Sequence, residues 1–464
     1  MTWVNRVRAR SWQKSMTMEP AILAIYDRPV PRYTSYPTAA QFDSSIGPEQ
    51  HGGWLSELRG GEAALYLHIP FCRQLCWYCA CHTMAMRREG TLDAYATALE
   101  REILLLAQAA PGFMVDSMQW GGGTPTQLGA GRLLAIGHLV DTVFDRRSNA
   151  EISMEADPRH CDEATVQAMA ELGVTRVSFG VQDFDERVQQ AINRVQSFET
   201  TLAALERVRG AGMTRVNVDL VYGLPSQTLE TLARTLDLAL ALAPDRFAVF
   251  GYAHVPWMKP HQRLIPSETL PDATARSAMA ALVSEKIVAG GYVRVGLDHY
   301  ARPGDKLAQA LAARRLQRNF QGYVADDSPW VVGVGASAIS SLPAGFSQNI
   351  ADPAEYMKAM ERGGFATARG IAVSLEDRLR GDIISQLMCL YTADIGEACK
   401  KHGAEARAFL STIDGLAPLI RDGLVSIDGD RLAVTDRGRP LVRSVCAAFD
   451  RYYTGIEGRH SRGI

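Results

Sequence analysis

Leu65-Tyr66-Leu67-His68-Ile69-Pro70-Phe71-Cys72-Arg73-Gln74-Leu75-Cys76-Trp77-Tyr78-Cys79-Ala80-Cys81 is the stretch whose reading decides the fold. A short apolar strand, Leu65–Ile69, runs into a loop that carries three cysteines at C-x3-C-x2-C spacing and a fourth, Cys81, one residue further on. Three thiolates this close can each hold one iron of a [4Fe–4S] cube, with the fourth iron left open for a substrate or cofactor. A zinc knuckle would want four ligands in two pairs. No second C-x2-C pair follows in the chain, and Cys81 lies too near Cys79 to complete a comfortable tetrahedron. Ligation by Cys81 would close the cube to everything but electrons, whereas a free Cys81 leaves it open. The reading takes Cys72, Cys76 and Cys79 as metal ligands and Cys81 as free.

Outward from that loop the chain alternates strand and helix to about residue 300. The expected strands are Ser117–Trp120, Glu151–Ala156, Arg176–Val181, Arg215–Val221, Phe247–Tyr252 and Tyr292–Leu297. Between them lie helices over Leu92–Ala109, Asp162–Leu172, Phe198–Ala211, Leu229–Leu242 and Ala273–Ala289. Short apolar strands separated by amphipathic helices predict a parallel sheet covered by helices. Six or seven such units make an α/β fold, an incomplete barrel of (β/α)6 type. In such barrels the chemistry sits at the C-terminal ends of the strands. Gly121-Gly122-Gly123-Thr124, Glu155, Asp157, Gln182, Asp183, Asp219, Ala253-His254 and Asp298-His299 all fall at or near such ends.

Beyond residue 370 the pattern changes. Leu375–Leu390 and Ala404–Leu419 read as helices, and Leu424–Ile427 and Arg431–Val434 flank Asp428-Gly429-Asp430, a hairpin signal. A small winged-helix-like domain is expected. The division is 1–59 for an N-terminal extension and substrate-proximal segment, 60–368 for the barrel, and 369–464 for the C-terminal domain. Residues 369–451 hold 12 Lys/Arg and 12 Asp/Glu. A nucleic-acid-binding wing usually shows basic excess, so a packing or lid role is favoured.

The 464 residues carry a net charge of −2, with 47% hydrophobic and 22% charged residues. That balance gives no global field toward nucleic acid or anionic membranes. No run of roughly 18 uncharged apolar residues suggests a membrane span. Eight cysteines, four of them within residues 72–81, do not make a secreted disulfide framework. Iron-bound thiolates need a reducing compartment, so the expected location is cytoplasmic. The first 18 residues carry Arg6, Arg8, Arg10 and Lys14 and no acid. A transit peptide has that look, as does a tail with no chemistry, and the latter is expected.

Polar residues on or beside apolar strands need partners. Glu155, Gln182, Arg194 and Asp219 could pair with one another inside the barrel, or with the ribose and carboxylate of a small ligand. The glycine run removes side chains where something approaches the backbone. A phosphate loop would need Lys-Ser/Thr after the glycines, and Thr124-Pro125-Thr126 stands there.

These motifs resemble the radical S-adenosylmethionine (SAM) superfamily and, within it, the oxygen-independent coproporphyrinogen III oxidases (dehydrogenases). The resemblance runs from about residue 25 to near the C-terminus. Beside the cysteine run and Trp120–Thr126, it rests on Arg32-Tyr33-Thr34-Ser35-Tyr36-Pro37-Thr38-Ala39, Gly180-Val181-Gln182-Asp183-Phe184, Asn193-Arg194, Tyr222-Gly223-Leu224-Pro225 and Asn319-Phe320-Gln321-Gly322-Tyr323. It implies a [4Fe–4S] cluster on Cys72, Cys76 and Cys79, with Cys81 not a ligand, and two SAM molecules. The residues implied to line them are Tyr66, Tyr78, Gly122, Gly123, Thr124, Glu155, Gln182, Arg194, Asp219, Ala253 and Ile339. Tyr66 and Glu155 are the expected catalytic pair. Tyr78 stands where the family commonly has Phe, and Ala80 replaces a common Gly.

The activity implied is oxidative decarboxylation of two propionates of coproporphyrinogen III to vinyl groups, giving protoporphyrinogen IX in anaerobic haem synthesis. The substrate has four carboxylates, which want Arg forks. Arg32, Arg302 and Arg318, in or next to the signature segments, are the candidates. The expected partners are the substrate, an unidentified electron donor and an acceptor, with no nucleic acid and no membrane, and the chain is expected to act as a monomer. Rival readings on the same scaffold are a haem-binding relative and a radical SAM methyltransferase or haem-opening enzyme.

Overall fold

The computed structural model describes residues 19–86, 89–325 and 328–455. The basic stretch 1–18 lies outside them. Six strands run parallel in chain order: β1 (Glu62–Ile69), β2 (Met114–Gly122), β3 (Asp145–Ala156), β4 (Arg176–Gln182), β5 (Arg215–Tyr222) and β6 (Arg246–Gly251). Helices cross between them, among them Gly90–Ala109, Ala130–Val143, Glu163–Glu171, Phe198–Gly210 and Leu229–Ala241. Several of these helices, and others later in the chain, start on a side-chain cap. Asp162, Ser197, Thr228 and Asp272 accept from the backbone N–H of Thr165, Thr200, Thr231 and Ala275, which satisfies an N–H that the helix itself leaves orphaned.

Tyr292–Leu297 does not form a seventh barrel strand. Val293–Val295 pairs antiparallel with His299–Ala301, which is itself antiparallel to β6. Gly296 takes φ 57, so the chain reverses there and closes the sheet edge with a hairpin. The seventh parallel strand is Val331–Val334, on the other side of β1. Antiparallel strands Ile339–Leu342, Gly345–Asn349 and Thr367–Ala372 extend the sheet from it to twelve strands in all.

The barrel core is apolar on the helix side, with Leu65, Tyr95, Trp120, Phe179 and Phe247 among its fully buried side chains. At the N-terminal ends of the strands the barrel is closed by charge. Arg176 forks onto Glu151 at 2.8 and 2.9 Å, and Arg246 Nε donates to Asp305 at 2.8 Å. Bidentate pairing offsets the cost of burying these groups.

The C-terminal unit packs Leu375–Leu390 against a three-stranded sheet of Thr392–Asp394, Arg431–Val434 and Val425–Asp428. The expected helix Ala404–Leu419 is two short ones, Ala406–Ser411 and Leu416–Arg421. Pro418 is the reason: it has no N–H to donate inside a continuous helix but fits a first turn. Ile22, Leu23, Tyr26, Val30, Tyr33 and Tyr36, from the other end of the chain, complete this unit's core. Tyr33 Oη donates to Asp450 at 3.1 Å, and the Arg451 N–H donates to Tyr36 Oη at 3.0 Å. No helix among the described residues is long and apolar enough to cross a membrane.

Candidate active site

After β1 the chain makes a closed loop. Phe71–Cys72 pairs with Met84–Ala85, pinning both ends of the cysteine segment. Phe71 is buried edge-on against Tyr95, ring centroids 5.0 Å apart. The thiols are free, and Cys72, Cys76, Cys79 and Cys81 all line a cavity of about 480 Å³ at the C-terminal ends of the strands. Thr83 Oγ1 lies 3.1 Å from the Cys72 sulfur, Thr124 Oγ1 donates to it at 3.6 Å, and Arg194 Nη1 donates to the Cys76 sulfur at 3.6 Å. Three thiols lining one cavity, two of them supported by donors, fit an Fe–S cluster. Among the described residues no three His, Cys, Asp or Glu side chains converge on a single-ion site. A cube does not need that, because each thiolate binds a different iron.

The glycine wall has a steric cause. A Cβ on Gly121 would stand 2.9 Å from Glu155 Oε1 and 3.0 Å from the Tyr66 ring. One on Gly122 would stand 2.7 Å from His68, and one on Gly123 would meet Thr83 Oγ1 at 2.6 Å and the Phe71 carbonyl at 2.7 Å. The glycines thus let the cysteine loop, Tyr66 and Glu155 close onto β2, and Gly122 also needs its φ of 114. His68 is neutral, its pKa pushed down to about 4 by burial. Its Nε2 faces the His82 carbonyl at 3.0 Å and therefore carries the proton, so Nδ1 accepts from Tyr66 Oη at 3.0 Å.

Glu155 accepts from the Gly122 N–H at 3.2 Å. Burial first, then Cys81 and Asp219, push its pKa up to about 8. Asp219, held by Asn217 at 2.7 Å and Ser178 at 3.2 Å, is likewise raised by burial. Gln182 sits at φ 74, backbone strain that turns it at the end of β4. Arg194 reaches the Gly180 carbonyl and Asp157, the latter at 3.3 Å, and its Nε is buried with no partner among the described residues.

Of the residues expected from sequence, Tyr78, Gly122, Gly123, Thr124, Glu155, Gln182, Arg194, Asp219, Ala253, Arg32 and Arg318 line this cavity with the cysteines. Tyr66 stands behind Gly121 against Glu155. Ile339 opens the strand Ile339–Leu342 and is not part of the cavity lining. Arg302 is elsewhere: it follows the strand paired to the start of β6, donates to the Pro244 carbonyl at 3.0 Å and lies over the Tyr292 ring. That end of the barrel is the one away from the cysteines, so Arg302 is no substrate ligand in this arrangement. Arg32 is solvent-accessible yet enclosed by protein, so its free surface faces the cavity. The structure adds Ser178, Asp157, Asp298, His299, Phe320 and Gln321 to the lining. Asp157 and Asp298-His299 had a signal in their strand-end positions, and Phe320-Gln321 lay within a quoted motif.

Comparison with known proteins shows the family. Residues 66–239 match the radical SAM superfamily, and residues 373–441 match the HemN C-terminal domain. An oxygen-independent coproporphyrinogen III oxidase of Bradyrhizobium diazoefficiens is 47% identical over 437 residues, covering 94% of this chain and 97% of that protein. The chain belongs to the oxygen-independent coproporphyrinogen III oxidase family. Members from Paracoccus denitrificans and Escherichia coli are 43% and 38% identical, covering 95% and 93% of this chain and 98% and 95% of theirs. The solved structure of Escherichia coli coproporphyrinogen III oxidase (HemN), described as a radical SAM enzyme, superposes with a TM-score of 0.87 at 37% identity, covering 94% of this chain and all of that one. As a radical SAM oxidoreductase of this family, the chain uses a [4Fe–4S] cluster and SAM.

Proposed function

We propose that this oxidase-family chain converts two propionate side chains of coproporphyrinogen III to vinyl groups, releasing two CO2 and giving protoporphyrinogen IX. The observation that carries the reading is one cavity lined by the three cysteines of the cluster motif, by Gly122 and Gly123 and by Arg32 and Arg318. The cluster and SAM, when bound, supply the one-electron chemistry that removes hydrogen from the propionate chain.

The chain's own residues do the rest. Cys72, Cys76 and Cys79 hold the cluster, and Cys81 stays free. Tyr78 offers an aromatic face to adenine. Gly122, Gly123, Thr124, Gln182, Arg194, Asp219, Ala253 and, from its adjacent strand, Ile339 surround two SAM molecules. Glu155 is largely protonated at neutral pH and donates a hydrogen bond, and Tyr66 stands beside it as its catalytic partner. Arg32 and Arg318 face the substrate carboxylates. A separate electron donor and acceptor complete the balance, because each conversion gives up one hydrogen atom, one electron and CO2. The enzyme works as a monomer in the cytoplasm, without nucleic acid.

The test is an anaerobic assay with reconstituted cluster, SAM, reductant and coproporphyrinogen III. Two CO2 per substrate are expected, and none from Cys72→Ala. SAM cleavage without decarboxylation overturns the reading.

A further inference from the structure

Beside the main cavity lies a smaller one of about 80 Å³, bounded by the ends of β5 and β6, the helix Ala273–Ala289 and the C-terminal unit. Five arginines line it: Arg32, Arg276, Arg294, Arg318 and Arg443, drawn from five separate regions of the chain. Among the described residues, the one carboxylate in the lining is Asp298, so their formal charge is +4. None of the cluster cysteines lines this pocket.

Among the described residues, three of the guanidiniums, those of Arg276, Arg294 and Arg318, are poorly satisfied. Arg276 spends Nη2 on the Tyr252 carbonyl at 3.2 Å, and Arg294 spends Nη2 on the Leu297 carbonyl at 3.2 Å, but the Nε of each is buried with no partner. Arg318, 6% exposed, reaches Asp298 only at 3.8 Å and leaves Nε and Nη1 without hydrogen bonds. Asp298 is already engaged with His299 at 2.7 Å. Burial first, then the neighbouring Arg32, lowers the pKa of Arg443 to about 10. Buried cations without counter-charge are costly, and an ordered anion would offset that cost. Water can bridge single donors, but it cannot neutralise four charges.

The pocket opens on the main cavity, sharing Arg32, Tyr252, Ala253, Asp298 and Arg318 with it. It has room for one carboxylate arm and none for a macrocycle. Building on the functional reading above, we propose that this arginine pocket clamps a propionate of the tetrapyrrole that is not the one being decarboxylated, fixing the ring while another propionate faces the SAM side. Arg276, Arg294 and Arg443 thereby join Arg32 and Arg318 as substrate-anchoring residues, and the C-terminal unit contributes to the substrate site through Arg443.

The test uses the full-length, cluster-loaded protein and two stable probes, coproporphyrin III and its tetramethyl ester, titrated anaerobically by porphyrin fluorescence. Arg276→Gln and Arg294→Gln should each raise the Kd for the tetra-acid by at least about tenfold, the loss expected for a charge-assisted pair. Cluster absorbance and Tm should stay near the parent's, and ester binding should not change. Arg276→Lys should recover part of the affinity, since it restores charge without the fork. Equal losses for acid and ester mean a merely structural role and overturn the proposal, as do variants that bind the acid like the parent. If the ester binds too weakly to compare, the lysine variant decides, and no recovery overturns the clamp. A parent that decarboxylates coproporphyrinogen while the variants bind normally leaves the functional reading standing and removes only the pocket. A parent that binds no coproporphyrin removes both.

Discussion

Glu155 is a carboxylic acid kept from ionising by burial and by the negative groups near it, and its folded pKa of about 8 exceeds the reference 4.5. Between those values the unfolded chain has lost a proton that the folded chain retains. Stability therefore falls as pH rises through that window. Glu155→Gln removes the dependence. Its apoprotein should melt at least about 3 °C above the parent at pH 7.5, and the gap should close as pH approaches 5, read by scanning calorimetry. Gly123 makes the opposite kind of demand. Its Cβ would meet the Phe71 carbonyl, which is backbone and cannot swing away. Gly123→Ala should cost about 1–3 kcal/mol by denaturant titration and reduce reconstituted cluster absorbance, because the cysteine loop must shift. The cysteines were legible because ligand spacing along the chain is itself the signal. The arginine pocket was legible only in part: Arg32 and Arg318 stand in or next to quoted motifs, whereas no local pattern marks Arg276, Arg294 and Arg443, which come together only in the fold.

At the scale of elements, two buried residues of the helix Gly90–Ala109 tie it to the segment that leads into the antiparallel side of the sheet: Tyr95, whose Oη accepts from the Ala336 N–H at 2.8 Å, and Glu102. Glu102, 2% exposed, accepts from Tyr356 Oη at 2.6 Å, the Gly335 N–H at 2.7 Å and Asn349 Nδ2 at 2.6 Å. Glu102→Ala would leave three buried donors unmatched. It should destabilise the protein by at least about 3 kcal/mol, measured as a lower denaturant midpoint, with Glu102→Gln milder. Parallel strands were readable as short apolar runs. The hairpin at Val293–Val295 was not, since a strand's direction is set by its partner, and β6 and His299–Ala301 are joined only through tertiary pairing. The break before Leu416 had a readable cause in Pro418 that helical periodicity masked.

On the scale of the whole molecule, two large apolar cores, with two smaller clusters beside them, divide the work. One spans Leu55 to Ala366, and the other joins residues 22–36 to residues 379–449. A version ending after residue 372 should still load its cluster, seen by absorbance, while binding of coproporphyrin III drops by at least about tenfold, because Arg443 goes and the segment bearing Arg32 loses its support. Balanced charge in the C-terminal unit had argued from sequence for packing over nucleic acid, but not that its core would be filled from the opposite end of the chain.

That shared core has a consequence for synthesis. On a ribosome, the barrel's cysteine loop and strand ends can assemble once residue 366 has emerged, while Tyr26, Tyr33 and Tyr36 still wait for partners not yet made. The cover over the cavity forms last. Iron and sulfur delivery thus has an open interval before the polypeptide is released, and a late-folding cover would protect the finished cluster from oxygen without obstructing its insertion.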